Sequence, residues 1–349
     1  MNTLGPCSGD LEYPLDRRPA IGEAFPIASG VYWLRMPLPI VLDHINLWAL
    51  EDDEGWTLVD TGMQTPQTAA AWESVLQQGP FAGRRVTRVI CTHMHPDHVG
   101  MAGWLTRRFD CPFWMTRLEY VTCRMLVADT GREAPPDALR FYRASGWRAS
   151  DLERYKARFG EFGKMVYPLP DSYHRVSDGD RLRIGKHVWR AVVGRGHSPE
   201  HLCLYCPELR VFISGDQVLP RISPNVSVFP TEPDADPLTD WLESLASIRA
   251  AVDNGALVLP AHNEPFHGLH RRIDHLLTGH ERSLQQLLDA LRQPRTAVDV
   301  FSLLFRRPVS GGVLQMATGE SVAHLNYLIR RGQVTYERDD DGVNWYQSV

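Results

Sequence analysis

The chain contains almost no lysine and no long apolar segment. Of its 37 basic residues only Lys156, Lys164 and Lys186 are lysines, and this preference for arginine is typical of proteins encoded by GC-rich bacterial genomes. No run of about 18 apolar residues occurs, so we expect no transmembrane helix. The first ten residues lack the basic region and the apolar run of a signal peptide, and we therefore expect a cytoplasmic protein.

The sequence also lacks the patterns of several other kinds of site. Its six cysteines are scattered, and the single Cys203-x-x-Cys206 pair lies in an apolar, strand-like segment, which favours a buried position over a redox or zinc site. The segment Gly194-Arg-Gly-His-Ser198 matches neither the Gly-x-Ser-x-Gly turn of serine hydrolases nor a dinucleotide fingerprint. The net charge of −5 does not favour a polyanionic partner, although a local basic patch could still bind one.

The segment His93-Met-His-Pro-Asp-His98 concentrates four potential metal ligands in six residues: His93, His95, Asp97 and His98. The β-branched residues of 86–92 predict a strand before it, and 99–108 predict a helix after it. On such a strand-to-helix turn, alternate side chains can point to one side while Asp97 and His98 turn toward a second site. Imidazole and carboxylate ligands suit zinc, iron or manganese.

Four other strand ends carry a residue of ligand type. They are Asp60 in Asp-Thr-Gly, His197 after Gly196, Asp216 after Gly215, and His262 after an apolar run that ends in Pro-Ala. Each is weak evidence alone, because a single histidine after a strand is more often structural. Functional side chains gather on loops at one rim of a sheet, and the five strand ends together predict such a rim.

The motifs Asp60-Thr-Gly, His93-x-His-x-Asp-His98, Gly196-His197, Gly215-Asp216 and His262 resemble, in this order, those of the metallo-beta-lactamase superfamily. The resemblance covers about residues 28–268. It implies an α/β fold with four layers, αββα, in which two β-sheets face each other and helices cover both outer faces. It also implies two divalent metal ions per chain, with zinc as the first choice and iron or manganese as alternatives.

The same resemblance implies a role for each candidate residue. The first metal would be held by three histidines, His93, His95 and His197. The second metal would be held by Asp97, His98 and His262. Asp216 would bridge the two ions, and Asp60 would orient a ligand by a hydrogen bond instead of binding metal itself. Asp97 is also the catalytic candidate, because its carboxylate could hold or accept the proton of the attacking water.

Three pieces extend beyond the ligand motifs. Residues 1–27 predict an irregular N-terminal arm, which precedes the catalytic domain of residues 28–268. Within that domain, residues 115–163 predict a helical insertion rich in aromatic side chains. This insertion could wall the active site with apolar surface or pack only on itself. Residues 269–349 predict a separate C-terminal unit.

The C-terminal unit has the order of a winged helix. A long helix is predicted over 270–291, shorter helices over 296–305 and 321–331, and a β-hairpin over 333–337 and 342–347. This order resembles the small winged-helix-like domain that follows the core in the branch of the superfamily that includes beta-lactamase-like protein 2.

Two roles are open for this unit. It could bind nucleic acid through four arginines, Arg306, Arg307, Arg330 and Arg331. It could instead be a packing module that shapes the site or forms a homodimer interface. The acidic run Asp339-Asp-Asp341 lies at the expected wing tip, where it would repel phosphate, and this favours the packing module.

These features together predict a metal-dependent hydrolase in which two metal ions activate a hydroxide. Acyl-homoserine lactonases of the superfamily usually carry tyrosine where this chain has Leu219, and the basic cluster of glyoxalase-II-like thioesterases is poorly matched. With these branches set aside, the expected substrate is another small-molecule thioester or ester. The alternative is a metal-dependent endoribonuclease for single-stranded RNA. The loop after Asp216 offers three candidate substrate contacts, Arg221, Ser223 and Asn225, although a rigid proline-bounded loop explains the same sequence.

Overall fold

Two β-sheets lie face to face at the centre of the structure, a computed structural model that describes residues 11–39 and 42–349. The first sheet has seven strands, each paired with the next: β1 Ala24–Ala28, β2 Val31–Pro37, β3 His44–Asp52, β4 Gly55–Val59, β5 Arg85–Ile90, β6 Phe113–Met115 and β7 His174–Arg175. The second has five: β8 Arg181–Ile184, β9 His187–Gly194, β10 His201–Cys206, β11 Val211–Gly215 and β12 Leu257–Pro260. A separate hairpin consists of β13 Val334–Arg338 and β14 Asn344–Ser348.

The outer faces of both sheets are covered by some of the ten α-helices that the described residues form. They are α1 Pro66–Gln77, α2 Pro96–Val99, α3 Ala102–Phe109, α4 Arg117–Ala128, α5 Pro136–Ala144, α6 Ala149–Arg158, α7 Pro237–Ala251, α8 Leu269–Ala290, α9 Phe301–Leu304 and α10 Leu314–Arg330. Helices α1, α3 and α4 bury apolar side chains against the first sheet, and α7 and α8 do so against the second. The predicted four-layer αββα arrangement is therefore confirmed. Within the described ranges, no helix is both long and apolar enough to span a bilayer.

Strand periodicity explains where the core lies. In β10 the side chains of Leu202 and Leu204 face the first sheet, while the alternate residues Cys203 and Tyr205 face the helices of the opposite layer. This alternation is the two-residue repeat of a strand. Cys206 belongs to the inner layer, so Cys203 and Cys206 point to opposite faces of the sheet. Both thiols are buried and free, in agreement with the interpretation of this pair as core.

Parallel pairing brings the predicted ligand loops to one edge. Strand β4 runs parallel to β5, and β11 runs parallel to β12. The loops that follow neighbouring parallel strands emerge at the same end of a sheet. The residues after β4, β5, β11 and β12 therefore share one rim of the sandwich, and the end of β9 joins them there.

The structure corrects three predicted boundaries. Strand β1 begins at Ala24, inside the segment predicted as an irregular arm; its proline is tolerated because β1 is an edge strand. The helix predicted over 296–305 is only α9. Helix α10 begins at Leu314, seven residues before the predicted start. The helix needs Gly319, because an added Cβ would lie 2.8 Å from the Val228 carbonyl oxygen.

The helical insertion packs against the C-terminal unit. The Trp147 indole N–H donates a 2.8 Å hydrogen bond to Oγ1 of Thr318 in α10. Tyr142 and Trp147 form an apolar cluster to which Leu314 contributes. The observed order of helices followed by a hairpin agrees with the predicted pattern, while the winged-helix assignment and the domain limits remain predictions.

We expect Asp52 to stabilise the sandwich at neutral pH, because its carboxylate links the two sheets. It accepts hydrogen bonds from Thr57 and Thr87 in the first sheet and from the Gly185 N–H in the β8–β9 turn of the second. Burial alone would raise the pKa of Asp52, but the hydrogen bonds, that from Gly185 foremost, lower it from 3.8 to about 2. At about 1.4 kcal/mol per pKa unit, the ionised carboxylate contributes roughly 2 kcal/mol.

A depressed pKa sets the sign of the pH dependence. The contribution is fully present above pH 3.8 and is lost as the pH falls toward about 2. Asp52→Asn should therefore lower the melting temperature at pH 7 by several degrees, with the difference from wild type shrinking below about pH 3. Asp53→Asn is the matched control, because the Asp53 side chain is 71% exposed. Equal melting curves for Asp52→Asn and wild type at pH 7 would contradict this assignment.

Candidate metal centre

Three histidines on two loops form the first group of ligand atoms. His93 and His95 follow β5, and His197 follows β9. The Nε2 atom of His93 lies 2.8 Å from Nδ1 of His95 and 3.3 Å from Nε2 of His197. Nitrogen ligands at about 2.0–2.1 Å from a tetrahedral zinc ion lie roughly 3.3 Å from one another. The three nitrogens thus converge at the spacing of a single metal site.

Two carboxylates and two histidines form the second group. Nε2 of His262 lies 3.4 Å from Asp97 Oδ2 and 3.5 Å from Asp216 Oδ1. Nε2 of His98 lies 3.8 and 3.7 Å from Oδ2 of the same two carboxylates. Oδ2 of Asp216 is also 3.5 Å from Nε2 of His197. Asp216 therefore lies between the two groups, where a bridging ligand is required.

Hydrogen bonds fix which nitrogen each histidine presents to the centre. The Nδ1 atoms of His197 and His262 lie 2.7 and 3.2 Å from the backbone carbonyls of Asn225 and His44. Because a carbonyl only accepts, each Nδ1 carries a proton and Nε2 is the nitrogen that faces the centre. Nδ1 of His98 makes the corresponding bond to the Asp60 carboxylate at 2.8 Å. Metal-binding histidines in proteins are oriented in this way.

Unsatisfied buried atoms give a test of whether metal fits. His98 Nε2 and Asp216 Oδ1 are buried and have no hydrogen-bond partner among the described residues. Such atoms are costly in a protein interior unless something binds them. Both point into the space that the other ligand atoms surround. Borderline nitrogen and carboxylate donors suit a divalent transition metal, so these residues fit the predicted cofactor.

Asp60 lies behind the ligands and organises them. Its carboxylate accepts hydrogen bonds from the backbone N–H and the hydroxyl of Thr92, in addition to His98 Nδ1. The Thr92 hydroxyl in turn lies 3.0 Å from Nδ1 of His93. Asp60 has a φ of 63°, a left-handed conformation that aspartate tolerates better than most residues. One carboxylate thus orients a histidine of each group.

The charge states follow from burial and proximity. Burial, with a contribution from His197, lowers the pKa of His95 to about 3, so its imidazole is neutral at neutral pH. Burial alone would raise the pKa of Asp97, but His98 and His262 outweigh it and lower the pKa to about 2. The centre therefore presents a neutral imidazole beside an ionised carboxylate, which are the forms that bind metal.

Sequence reasoning missed two buried residues that support the centre. Glu119 accepts hydrogen bonds from the N–H of Met94, the hydroxyl of Ser198 and the N–H of Glu200, and thereby ties the two ligand loops of the first group together. His201 accepts a 3.0 Å hydrogen bond from the Asp216 N–H. The only signal for Glu119 was an acidic residue in the first turn of α4, which any helix can carry.

The predicted substrate contacts have other partners in the structure. The Arg221 guanidinium binds Glu264 at 2.9 Å and lies over the Tyr13 ring. The Ser223 hydroxyl is buried and lies 3.3 Å from Nε2 of His280. Asn225 contributes its backbone carbonyl to His197 and directs its side chain toward α10. Arg221 and Asn225 are partly exposed; Ser223 would have to leave its buried position to meet a substrate.

Comparison with known proteins gives two family matches. The family model of the metallo-beta-lactamase superfamily matches residues 40–262, and a model described as the metallo-beta-lactamase-like C-terminal domain matches residues 284–349. A solved structure described as a beta-lactamase domain protein from Burkholderia ambifaria is 39% identical, with a TM-score of 0.89. That likeness covers 97% of this chain and 98% of the other.

Several other relatives are more distant in sequence. Probable metallo-hydrolase YqjP of Bacillus subtilis is 21% identical over 88% of this chain and 94% of its own length. The acyl-coenzyme A thioesterase MBLAC2 of Gallus gallus is 23% identical, covering 69% of this chain and 80% of the relative. An atrochrysone carboxyl ACP thioesterase of Aspergillus fumigatus is 27% identical over 68% of this chain. The chain spans only 42% of that protein, and 49% of an uncharacterized relative from Aquifex aeolicus.

Proposed function

The chain belongs to the metallo-beta-lactamase superfamily, and we propose that it is a metal-dependent hydrolase acting on a thioester or ester of an apolar acyl group. The observation that carries the hydrolase proposal is the pair of converging ligand groups that share Asp216. Two divalent ions, with zinc as the first choice, would occupy these groups. The roles proposed for the residues depend on neither the number nor the identity of these ions.

Bound divalent metals would polarise the substrate carbonyl and activate water for attack. The residues of the chain supply orientation and charge. Asp97 is ionised at neutral pH, since its pKa is about 2, and it is partly exposed, with 16% of its side chain accessible. It can therefore accept a hydrogen bond from the attacking water at the mouth of the site. Three of the histidines, His197, His262 and His98, are held in orientation by hydrogen bonds at Nδ1. Their partners are, in the same order, Asn225, His44 and Asp60.

An apolar stripe on α4 supports an acyl substrate. Leu118, Val121 and Met125 are 45%, 54% and 43% exposed, and their spacing of three and four residues puts them on one face of the helix. Exposed apolar side chains in a row often mark a binding surface. Two relatives named as thioesterases act on acyl groups carried by coenzyme A or acyl carrier protein, which supports the same substrate class.

The stripe begins beside the metal ligands. The Leu118 N–H donates to the Glu200 carboxylate, and the neighbouring Glu119 carboxylate accepts from the Met94 N–H. Met94 lies between His93 and His95 in the chain. A chain bound along α4 would therefore lead its carbonyl toward the ligand loops.

The contacts of two of the four C-terminal arginines, Arg330 and Arg331, argue against the ribonuclease alternative. The Arg330 guanidinium binds the Asp234 carbonyl, and Arg331 binds the Tyr327 carbonyl and the Thr239 hydroxyl while lying over the Tyr327 ring. Phosphate binding would compete with these contacts. The Asp339 carboxylate lies in the turn between β13 and β14, where it accepts a hydrogen bond from the Trp345 indole.

The test is a substrate panel offered to the purified chain with Zn²⁺, Mn²⁺ or Fe²⁺ added after removal of bound metal. We expect metal-dependent hydrolysis of acyl-CoA thioesters, with kcat/KM rising from acetyl toward longer acyl groups. Lactones, phosphodiesters and single-stranded RNA belong in the same panel as competitors. Preferred, metal-dependent cleavage of single-stranded RNA would overturn the proposal in favour of an endoribonuclease.

Substitution within the α4 stripe tests the acyl contact itself. Val121→Ser should raise KM for long-chain thioesters about fivefold and leave acetyl-CoA unaffected, because losing one apolar contact costs about 1 kcal/mol. Val188→Ser is the matched control: Val188 is 38% exposed but lies near the start of β9, at the opposite end from the ligand loop. An equal effect of the two substitutions on KM would count against the stripe as the acyl-binding surface.

A further inference from the structure

The loop that follows Asp216 is held by a helix from the C-terminal part of the chain. The Asn225 side-chain amide donates to the Glu320 carboxylate at 2.8 Å and to the Met316 carbonyl at 3.3 Å. The Ser227 hydroxyl lies 2.6 Å from Asn225 Oδ1 and 3.2 Å from the Met316 carbonyl. We call these four residues of the loop and of α10 the α10 clamp.

Backbone contact makes the clamp close. The Val228 N–H donates a 3.0 Å hydrogen bond to the Gly319 carbonyl, one turn along α10 from Met316. Gly319 permits this approach, because an added Cβ would lie 2.8 Å from Ser227 Cβ and from the Val228 carbonyl. Glu320 and Ser227 are buried and Asn225 is partly buried, whereas Met316 is exposed, so the carboxylate end of the clamp is the part that lies inside the protein.

The preceding part of the loop is held by α8. The buried Arg272 donates from Nε to the Leu219 carbonyl at 2.6 Å and from Nη2 to the Ile222 carbonyl at 2.8 Å. His280 of the same helix lies 3.3 Å from the Ser223 hydroxyl. The loop is therefore fixed by helices from 269–349 along most of the distance between Asp216 and Val228.

The clamp affects the metal centre through one hydrogen bond, which Nδ1 of His197 donates. The Asn225 backbone carbonyl accepts the 2.7 Å hydrogen bond from Nδ1 of His197. That bond sets the His197 tautomer and directs Nε2 toward His93 and Asp216. The Asn225 side chain, held by Glu320, determines where the carbonyl lies.

We propose that Asn225 and Glu320 are positioning residues of the metal centre, through which the C-terminal part of the chain orients the ligand His197. The inference rests on the proposed function only in taking His197 as a metal ligand, and it is independent of the substrate. The inference gives α10 a role in orienting a metal ligand, and this role requires neither nucleic acid nor a second subunit.

The test compares the affinity of the full-length chain for Zn²⁺, measured by competition with a chromophoric chelator. We expect Glu320→Ala and Asn225→Ala each to weaken Zn²⁺ binding about tenfold, the lower end of the effect of removing a partner of a ligating histidine. Glu320→Gln keeps an oxygen that can accept from the Asn225 amide, and should restore most of the affinity. In hydrolysis assays the alanine variants should lower kcat more than they raise KM.

Thr318→Val is the matched control, because Thr318 is equally buried in α10 but bonds Trp147 of the insertion. Thermal melts without metal will show how far each substitution destabilises the fold, and Thr318→Val should reduce stability without changing Zn²⁺ affinity. If Glu320→Ala and Asn225→Ala bound Zn²⁺ like wild type, or if Thr318→Val weakened binding equally, the positioning role would be overturned. A wild type that bound no Zn²⁺ would overturn the proposed metal centre as well, which distinguishes the two failures.

Discussion

Replacing His93 by alanine is expected to abolish hydrolysis while leaving the fold intact. His93 is fully buried, and its Nε2 atom lies within 3.3 Å of ligand nitrogens from both His95 and His197. The residue therefore lies at the point where the first group of ligand atoms converges. Metal assistance supplies several kcal/mol to hydrolytic transition states, so we expect kcat to fall at least about a thousandfold.

The measurement pairs activity with metal content and circular dichroism. His93→Ala should bind less metal than wild type and keep a nearly native spectrum, because the two-sheet core does not involve this side chain. His187→Asn is the control: His187 is also a buried histidine, but it lies at the start of β9 and pairs with Glu208. A His93→Ala variant with wild-type kcat and metal content would rule out the proposed centre.

Local sequence was sufficient to predict that four of the candidate ligands lie together, because they are close neighbours in the chain. His93, His95, Asp97 and His98 lie on one tight strand-to-helix turn, and a turn of that kind fixes the direction of its side chains. The remote ligands His197, Asp216 and His262 could be predicted for a different reason. They follow β9, β11 and β12, which run in the same direction within one sheet, so the topology of the sandwich brings them to one rim.

The partners of those ligands could not be predicted in the same way. Nδ1 of His197 and Nδ1 of His262 are held by backbone carbonyls, from Asn225 and His44. Every residue has a carbonyl, so no residue type marks such a role. Asn225 was predicted as a substrate contact because of its side chain, whereas in the structure its carbonyl meets the site and its side chain meets Glu320.

Tertiary contact also explains the glycine within α10. The segment 314–320 consists mainly of good helix formers, and only Gly319 is poorly suited to a helix interior in an isolated sequence. In the folded chain, the close approach of Ser227 and Val228 makes that glycine necessary. Packing against a loop that is distant in sequence thus accounts for the glycine inside the helix, and the same contact is the basis of the α10 clamp.

Asp97→Asn should reduce kcat by about a hundredfold to ten-thousandfold, the range expected when a group that handles a proton in the transition state is lost. The Asp97 carboxylate lies 3.4 Å from Nε2 of His262 and is accessible at the mouth of the site. Its pKa of about 2 keeps it ionised throughout the neutral range. Asparagine has nearly the same shape and retains one oxygen, but it carries no charge and cannot accept a proton at neutral pH.

Assays at saturating metal separate the two possible roles of Asp97, metal binding and handling of the water proton. If Asp97 only binds metal, Asp97→Asn should lose metal and activity together, and added metal should restore part of the rate. If Asp97 also handles the water proton, kcat should remain low at saturating metal while KM stays near the wild-type value. We expect the second result. Asp110→Asn is the control, since the exposed Asp110 ends α3 in a left-handed conformation that asparagine also adopts. An Asp97→Asn variant that regained the full wild-type kcat at saturating metal would limit Asp97 to metal binding.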